Sequence, residues 1–594
     1  MQFIKITFLL FLISSFSTTA QDKDWQWAKR GGGNISLTSG SVIYSTGRER
    51  VKEVAVDSEN NYYFLAEVGS SNVDYDGESV TTYGDNLGYK NIFVFSTNCE
   101  GELRWKKSIG GGFHDLANSI KIDTNDNVYV TGKTINLSNH TPVHFDTDSI
   151  KNPAPQSGTL TESFKGAFVI KYNKDGDFQW LVEPEGAVSS AFNSAVMAMD
   201  IDDNNNIHTL LYLVTGTHLD GQVEVEADDS QTAIAKFDEN GILLDYTLID
   251  LQPGTNGPYD YQFVYDSNLS RYYIADTKRN SSDVISINGF GEDSGTQKAF
   301  YLAALEEDGE VIWYKENVIS NGWSLGDIQL DSNGNIYFTG AGSSTSNEND
   351  FFAGHEFEIT FVSSVGTPFL IKLNSDGELI WGTNAEISTR FPGRSIAIDG
   401  DDVYLGLGMF YSEWDDLIID GIQAGGQVPD PTILRFNTTT GSLQEVIRMP
   451  DNVSGQDEIM SIALDLSGNI VMGGHFSSTL LSSHSLPTLF KNGGDSDFFI
   501  AKYGTDDCTF STADFTPTPT SIKMYPNPAN NQVFFESDLA LEQVKVFSIT
   551  GKQVLQANLS QNNNIQVSDL AKGIYLVQIQ TQNGQVETRK LVVE

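Results

Sequence analysis

Cysteine is almost missing from this sequence: Cys99 and Cys508 are the two among 594 residues. No CxxC occurs, so zinc ribbons and thioredoxin-like chemistry are excluded. Histidine is scarce as well, with eight residues and no HExxH or other compact ligand set. Basic side chains number 36 against 79 acidic ones, a formal net charge of −43. A phosphate backbone demands clustered Lys and Arg, which argues against nucleic acid as a partner. The nucleophile elbow, the phosphate loop and the dinucleotide fingerprint are all lacking. No metal and no cofactor are expected. Apolar residues at i, i+3, i+4, i+7 are not sustained anywhere, so little helix is expected. Beyond the first twenty residues there is no run of about 18 apolar residues, so no transmembrane segment is expected.

The chain opens with MQFIKITFLLFLISSFSTTA. Lys5 gives a positive start and Phe8 to Ile13 an apolar core. Thr18 and Ala20 are the small residues before a cut at Gln21. Residues 1–20 therefore read as a secretory signal peptide, too short for a membrane anchor. No Cys follows the apolar run, so a bacterial lipid anchor is not expected. The mature protein is expected to be exported and soluble, with its acidic surface aiding solubility.

Glycine is plentiful, at 54 residues, and Asn-Gly and Asp-Gly steps recur, which suits many short strands joined by tight turns. An alternating pentad ending in Asp occurs seven times. The copies are EVAVD at Asp57, SIKID at Asp123, AMDID at Asp202, QFVYD at Asp266, DIQLD at Asp331, SIAID at Asp399 and SIALD at Asp465. The intervals are 66, 79, 64, 65, 68 and 66 residues. A second strand follows each pentad, as in DTNDNVYVTG and DSNGNIYFTG. Then comes a second hairpin, such as FVIKYNKDGDFQW at 168–180 or FLIKLNSDGELIW at 369–381. Each unit thus holds four strands, A to D, and the period fits a propeller blade. The Asp-rich turns imitate calcium loops. Position 12 from Asp123, Asp202 and Asp331 is Thr134, Leu213 and Gly342, so the bidentate Glu is wanting and Asx turns are expected instead.

The seventh unit stops after FFIAKYG, without a strand D, while WAKRGGG at Trp27 to Gly33 copies WKKSIGGG at Trp105 to Gly112. The mature N-terminus is expected to supply the missing strand and close a ring, which removes an aggregation-prone edge. The expected fold is all-β: a seven-bladed β-propeller over 21–508, a Thr/Pro linker at 509–521, and a small β-sandwich over 522–594. The units resemble the bacterial β-propeller repeat of the form VDSSGNVYVTG…AFVAKYDSNGNLLW. That resemblance implies the fold and leaves function open. Closure makes the first and seventh blades neighbours. Cys99 and Cys508 then fall in matching places of an exported chain, and the sequence leaves their pairing open.

The last segment carries Tyr525-Pro526-Asn527-Pro528, Gly551-Lys552, Gly573-Ile574-Tyr575 and Lys590-Leu591-Val592-Val593, in that order, to the end of the chain. These residues resemble the sorting domain of the type IX secretion system of the Bacteroidetes. The resemblance implies export by that machinery and processing by its sortase-like peptidase. It further implies release, or attachment to surface lipopolysaccharide.

Strand alternation puts the A–B and C–D turns on one side of the units and the B–C and D–A connections on the other. The B–C connections are long, about 69–90, 133–165, 214–231, 277–298, 341–367, 409–430 and 476–496. Long loops on a rigid scaffold carry recognition. The D–A loops bring Arg48, Arg50, His114, Asp115, Asp260, Trp323, Arg390, Arg394, Asp457 and Glu458 to the same side. Mixed charges with an aromatic suit a polar ligand such as a glycan, and the acidic positions before strand A suit turn capping equally. The leading expectation is a secreted or surface-attached, non-catalytic binding protein with a glycan or protein ligand. The competing one is a hydrolase or lyase with a carboxylate pair drawn from Asp115, Asp260, Asp457 and Glu458. A structural surface or gliding component is the third.

Overall fold

The computed structural model describes residues 23–35, 48–84, 89–156, 160, 162–188, 194–252, 261–277, 286–291, 300–317, 325–342, 351–357, 367–386, 392–409, 412–415, 417–419, 429–449, 455–505, 522–537, 540–548, 553–559, 563–568, 570–581 and 586–593. Residues 1–20 and 509–521, Cys508 and the D–A residues Asp260, Trp323 and Arg390 lie outside them. The chain divides into two compact units, one up to Cys508 and one from Thr509.

The first unit is built of antiparallel four-stranded sheets in the order A-B-C-D. In the first, Arg50–Val56, Tyr62–Gly69, Lys90–Thr97 and Leu103–Ile109 pair in turn. Six more sheets with the A-B-C-D order follow along the chain among the described residues, the third sheet widened to five strands by Glu185–Val188 and the last to six by Asp74–Tyr75 and Glu78–Ser79. Their innermost strands are Leu116–Ile122, Ala195–Ile201, Gln262–Asp266, Leu325–Leu330, Ser395–Asp399 and Glu458–Leu464. The last sheet takes its outer strand from the other end of the chain. Asp24–Gly32 pairs antiparallel with Asp497–Gly504, from Asp24 opposite Gly504 to Gly31 opposite Phe498. One stretch differs from its sequence reading. Residues 214–231 are no loop: the third sheet's strands B and C, Ile207–His218 and Val223–Phe237, run on as a long ribbon turned at Leu219 to Gln222.

In six of the seven A–B hairpins the recurring Asp makes a small polar knot, while Asp399 stands exposed in a tight turn without one. Asp331 Oδ1 accepts the N–H of Asn333 at 2.9 Å and of Asn335 at 3.0 Å, and Asn335 Nδ2 donates to Oδ2 at 2.9 Å. Gly334 supplies the positive φ of 75° that the turn requires. A hydroxyl six residues on completes the knot: Tyr63 donates to Asp57 at 2.7 Å and Tyr129 to Asp123 at 2.9 Å. A strand-C lysine joins it, as Lys372 does at Asp331 (3.3 Å) and the fully buried Lys502 at Asp465 (3.4 Å). At Asp57, Asp123, Asp331 and Asp465 these are Asx turns with both carboxylate oxygens occupied.

Tryptophan ties neighbouring sheets together. Trp105 Nε1 donates to Lys174 O at 3.0 Å, Trp180 to Glu239 O at 3.1 Å, Trp313 to Ser375 O at 3.0 Å and Trp381 to Thr438 O at 3.0 Å. Each acceptor lies in the C–D turn of the following sheet. Trp27 repeats the contact with Cys99 O at 2.9 Å, in the C–D turn of the first sheet, and is buried at 9% exposure. A Cβ on Gly101 would sit 2.9 Å from the Trp27 ring, so the turn must bring a bare glycine there.

The innermost strands surround a cavity of about 490 Å³, lined from all seven sheets. Side chains stitch one inner strand to the next. Ile120 N donates to Glu53 at 2.7 Å, Tyr265 N to Asp200 at 2.8 Å and Ile396 N to Asp327 at 2.8 Å. Ile462 N donates to Ser395 Oγ at 3.1 Å, and Val54 N to Ser461 Oγ at 3.0 Å. That last bond joins the first sheet to the seventh. Lys121 pairs with Glu53 at 2.7 Å inside the cavity, and burial pushes Asp327 up to about 6.

The second unit has a four-stranded sheet (Gln553–Asn558, Leu541–Ser548, Gly573–Thr581, Val586–Val593) and a three-stranded one (Lys523–Tyr525, Gln532–Glu536, Asn564–Gln566). Between them lies an apolar core including Val544, Val546, Val577, Ile579 and Leu591, all fully buried.

Candidate ligand-binding face

The D–A loops hold two kinds of charged residue. The first kind ties backbone together. Asp115 is fully buried and accepts Gly111 N at 2.9 Å and Ile135 N at 3.2 Å. Asp457, also fully buried, accepts Ser477 N at 2.8 Å. Glu49 does the same work in the first sheet, taking Gly33 N and Gly69 N at 2.6 Å each. Burial pushes its carboxyl up to about 8 and raises that of Asp115. These acids clamp strand ends. The sequence reading left Asp115 and Asp457 open between ligand contact and turn capping, and in the structure both hold backbone N–H groups.

The second kind gathers at the loop face. Arg48 donates to His475 Nε2 at 3.3 Å and also binds Gln456. Arg50 Nε meets Glu67 at 3.3 Å, and the buried Lys90 meets the same carboxylate at 2.9 Å. Arg394 pairs with the buried Glu458 at 2.5 Å. The Arg50 and Arg394 side chains stay about a quarter exposed, at 24% and 25%. Burial, followed by the charges of Arg48, Arg50, Arg394 and Lys90, drives the His475 imidazole well below its ordinary range. It is therefore neutral, with Nε2 free to accept from Arg48. Of the ten candidates, Arg48, Arg50, Arg394 and Glu458 come together here.

His114 connects this group to an aromatic patch that sequence reasoning missed. Its Nδ1 accepts Lys90 N at 3.3 Å, and burial lowers it to about 4. Tyr89 lies 4.7 Å from Phe113, 5.1 Å from His114 and 6.2 Å from His140, ring centre to ring centre. All four rings are half-buried. They come from two B–C loops and a D–A loop, and only the fold brings them together. His140 Nδ1 donates to Gly112 O at 2.6 Å and fixes the patch. Elsewhere His208, His218 and His475 are buried. Among the described residues no group of three His, Cys, Asp or Glu is placed to hold a metal. Cys99 is half-buried beside Trp27.

In the C-terminal unit the motif residues converge. Asn527 Nδ2 donates to Lys590 O at 2.7 Å, and Val592 N donates to Asn527 Oδ1 at 2.8 Å. Both prolyl bonds, Tyr525-Pro526 and Asn527-Pro528, are cis. Gly573 pairs with Val593 and Tyr575 with Leu591. Asn527 thus clasps the final strand from the segment that opens the domain. Gly551 and Lys552 lie outside the described residues.

Known proteins bear on the two units differently. A stretch of 130 residues is 29% identical to an uncharacterized WD repeat-containing protein of Acanthamoeba polyphaga mimivirus, covering 21% of this chain and 9% of that one. The chain therefore spans under a tenth of that relative. Among solved structures, a protein of unknown function from Dyadobacter fermentans is 10% identical over 80% of this chain and 98% of its own, with a TM-score of 0.33. Quinohemoprotein alcohol dehydrogenase from Comamonas testosteroni is 8% identical over 86% and 79%, with a TM-score of 0.33. Such distant likenesses carry no chemistry to this chain. The C-terminal unit is more definite. Residues 523–594 match the secretion system C-terminal sorting domain. That match marks the protein for the type IX secretion machinery, and so for secretion and the cell surface.

Proposed function

We propose that the first unit is a seven-bladed β-propeller closed by its N-terminal strand, and that it serves at the cell surface as a non-catalytic binding protein. Three contacts support closure: the pairing of Asp24–Gly32 with Asp497–Gly504, the Trp27 bond to Cys99 O, and the Val54–Ser461 stitch. The observation that carries the functional reading is the loop face. There Arg48, Arg50 and Arg394 stand partly exposed beside an aromatic patch. Among the described residues the acids suited to hydrolysis are engaged: Asp115 and Asp457 hold backbone N–H groups, and Glu458 holds Arg394. Two facing carboxylates with room for a glycosidic bond are what the enzymatic alternative requires. Mixing the mature protein with a panel of insoluble polysaccharides tests this reading. Depletion of the protein from solution with no new reducing ends or unsaturated products is the expected result. Product release at a rate abolished by Glu458→Gln would replace the proposal with a hydrolase or lyase.

A further inference from the structure

The loop face has a charge unlike that of the molecule around it. The chain carries 79 acidic and 36 basic residues. Yet five cations converge at this one place: Arg48, Arg50, Lys52, Lys90 and Arg394. They face the carboxylates Glu67, Asp457 and Glu458; the neighbouring Glu49 and Asp115 are buried, which pushes the first up to about 8 and raises the second, so at neutral pH neither offsets the cations. The surplus is positive, at the end of the inner strands that line the central cavity. An acidic protein repels anions in general, so an anion that binds it must do so locally.

The aromatic patch adjoins this surplus through a continuous hydrogen-bonded path. Arg50 and Lys90 share Glu67, Lys90 N donates to His114, and His114 lies 5.1 Å from Tyr89 and 5.3 Å from Phe113. A pyranose presents an apolar C–H face on one side and polar substituents at its rim. Aromatic faces take the first, and guanidinium forks take an anionic rim group with paired N–H donors. Arg48 reaches only a neutral imidazole and an amide among its hydrogen-bond partners here, Gln456 and His475, which leaves its charge the least compensated of the three arginines.

We infer that this face binds an anionic saccharide, with a sugar ring on Tyr89 and Phe113 and its carboxylate or sulfate at Arg48 and Arg50. The inference rests on the binding reading above and specifies the ligand class. Oligogalacturonate, a heparin-derived sulfated oligosaccharide and a neutral oligogalactan are the probes, titrated into the mature full-length chain by calorimetry at low and high salt. At least one anionic probe is expected to bind, more weakly as salt rises, with the neutral one not binding. The two anionic arms tell carboxylate from sulfate. Arg48→Gln and Tyr89→Ala are each expected to weaken binding roughly tenfold or more. Lys174→Gln, on the opposite turns, should leave it unchanged. Circular dichroism melts establish that each variant is folded. Neutral oligogalactan bound as tightly as the anionic probes, and lost in Tyr89→Ala, would overturn the anionic inference and leave the binding function standing. Anionic binding indifferent to both substitutions would overturn the assigned site. No binding of any probe by the wild-type chain would overturn the inference, while the polysaccharide panel separately decides the broader reading.

Discussion

Replacing Trp27 with Ala tests the joint between the two ends of the first unit. The side chain is 9% exposed, its indole donates to Cys99 O at 2.9 Å, and its ring packs on Gly101 and near Tyr62. Truncating a buried aromatic costs about 3–5 kcal/mol, and the lost hydrogen bond accounts for about 1 kcal/mol of that order. Against a domain stability of about 5–15 kcal/mol this is a large fraction. In a closed ring the loss falls on the whole assembly. Urea unfolding followed by circular dichroism should therefore show one transition moved to a clearly lower midpoint. Hydrogen exchange should show weakened protection in Asp24–Gly32, in Asp497–Gly504 and in Ile470–Phe476, which pairs with the latter, together. Trp27→Phe, which keeps most of the burial and drops the donor, should fall between. Deleting residues 21–33 should exceed both. An unchanged midpoint, or loss of protection confined to residues 24–32, would refute the reasoning, because the strand would then be an appendage.

Removing residues 522–594 should leave the first unit folded and the protein inside the cell envelope, and protease treatment of whole cells would then spare it; Asn527→Ala should reduce display in the same assay by loosening the clasp on Lys590 and Val592. His208 stands where the first and second sheets have Tyr63 and Tyr129, and it is fully buried between Asp202 and Tyr272, stacked on Tyr265, with Lys236 and Glu307 acting on it. Burial lowers its pKa from 6.5 to about 4, so the folded state binds fewer protons than the unfolded one: the stability it contributes is complete above about pH 6.5 and is lost as pH falls toward 4, about 3 kcal/mol in all. His208→Tyr should therefore narrow the gap between melting temperatures at pH 7 and pH 4.5. Lys502→Met strands the buried Asp465 and should cost about 3–5 kcal/mol in urea unfolding, whereas Lys29→Met at the exposed Asp76 pair should cost under about 1 kcal/mol.

Repetition made the scaffold readable. The pentad and the Asp that ends it are local signals, and in six of the seven sheets that Asp appears in the structure as the hub of a hydrogen-bonded turn. The orphan phrase at Trp27 was readable because Trp105 and Trp381 spell the same contact. The loop face was less readable, since its partners meet across distance. Lys90 and Glu67 lie in neighbouring strands, but Arg48 meets His475 and Arg394 meets Glu458 only once separate sheets stand side by side. Acidic residues before strand A look alike in sequence. Asp115 and Asp457 bind backbone while Glu458 binds an arginine, and the difference lies in which N–H groups the loop folds inward. The ribbon at 214–231 was misread because polar residues such as Glu224 and Glu226 resemble a loop, although Val223 and Val225 alternate with them and are buried.

The pairing of Asp24–Gly32 with Asp497–Gly504 also fixes an order of events. Within the first unit, Asp24–Gly32 leaves the ribosome ahead of the other described strands and waits longest for its partner, which is made more than 450 residues later. A chain cut short anywhere before Asp497 keeps Trp25 and Trp27 without the strand that shelters their backbone. Its two open edges are then substrates for envelope proteases and for pairing with other chains.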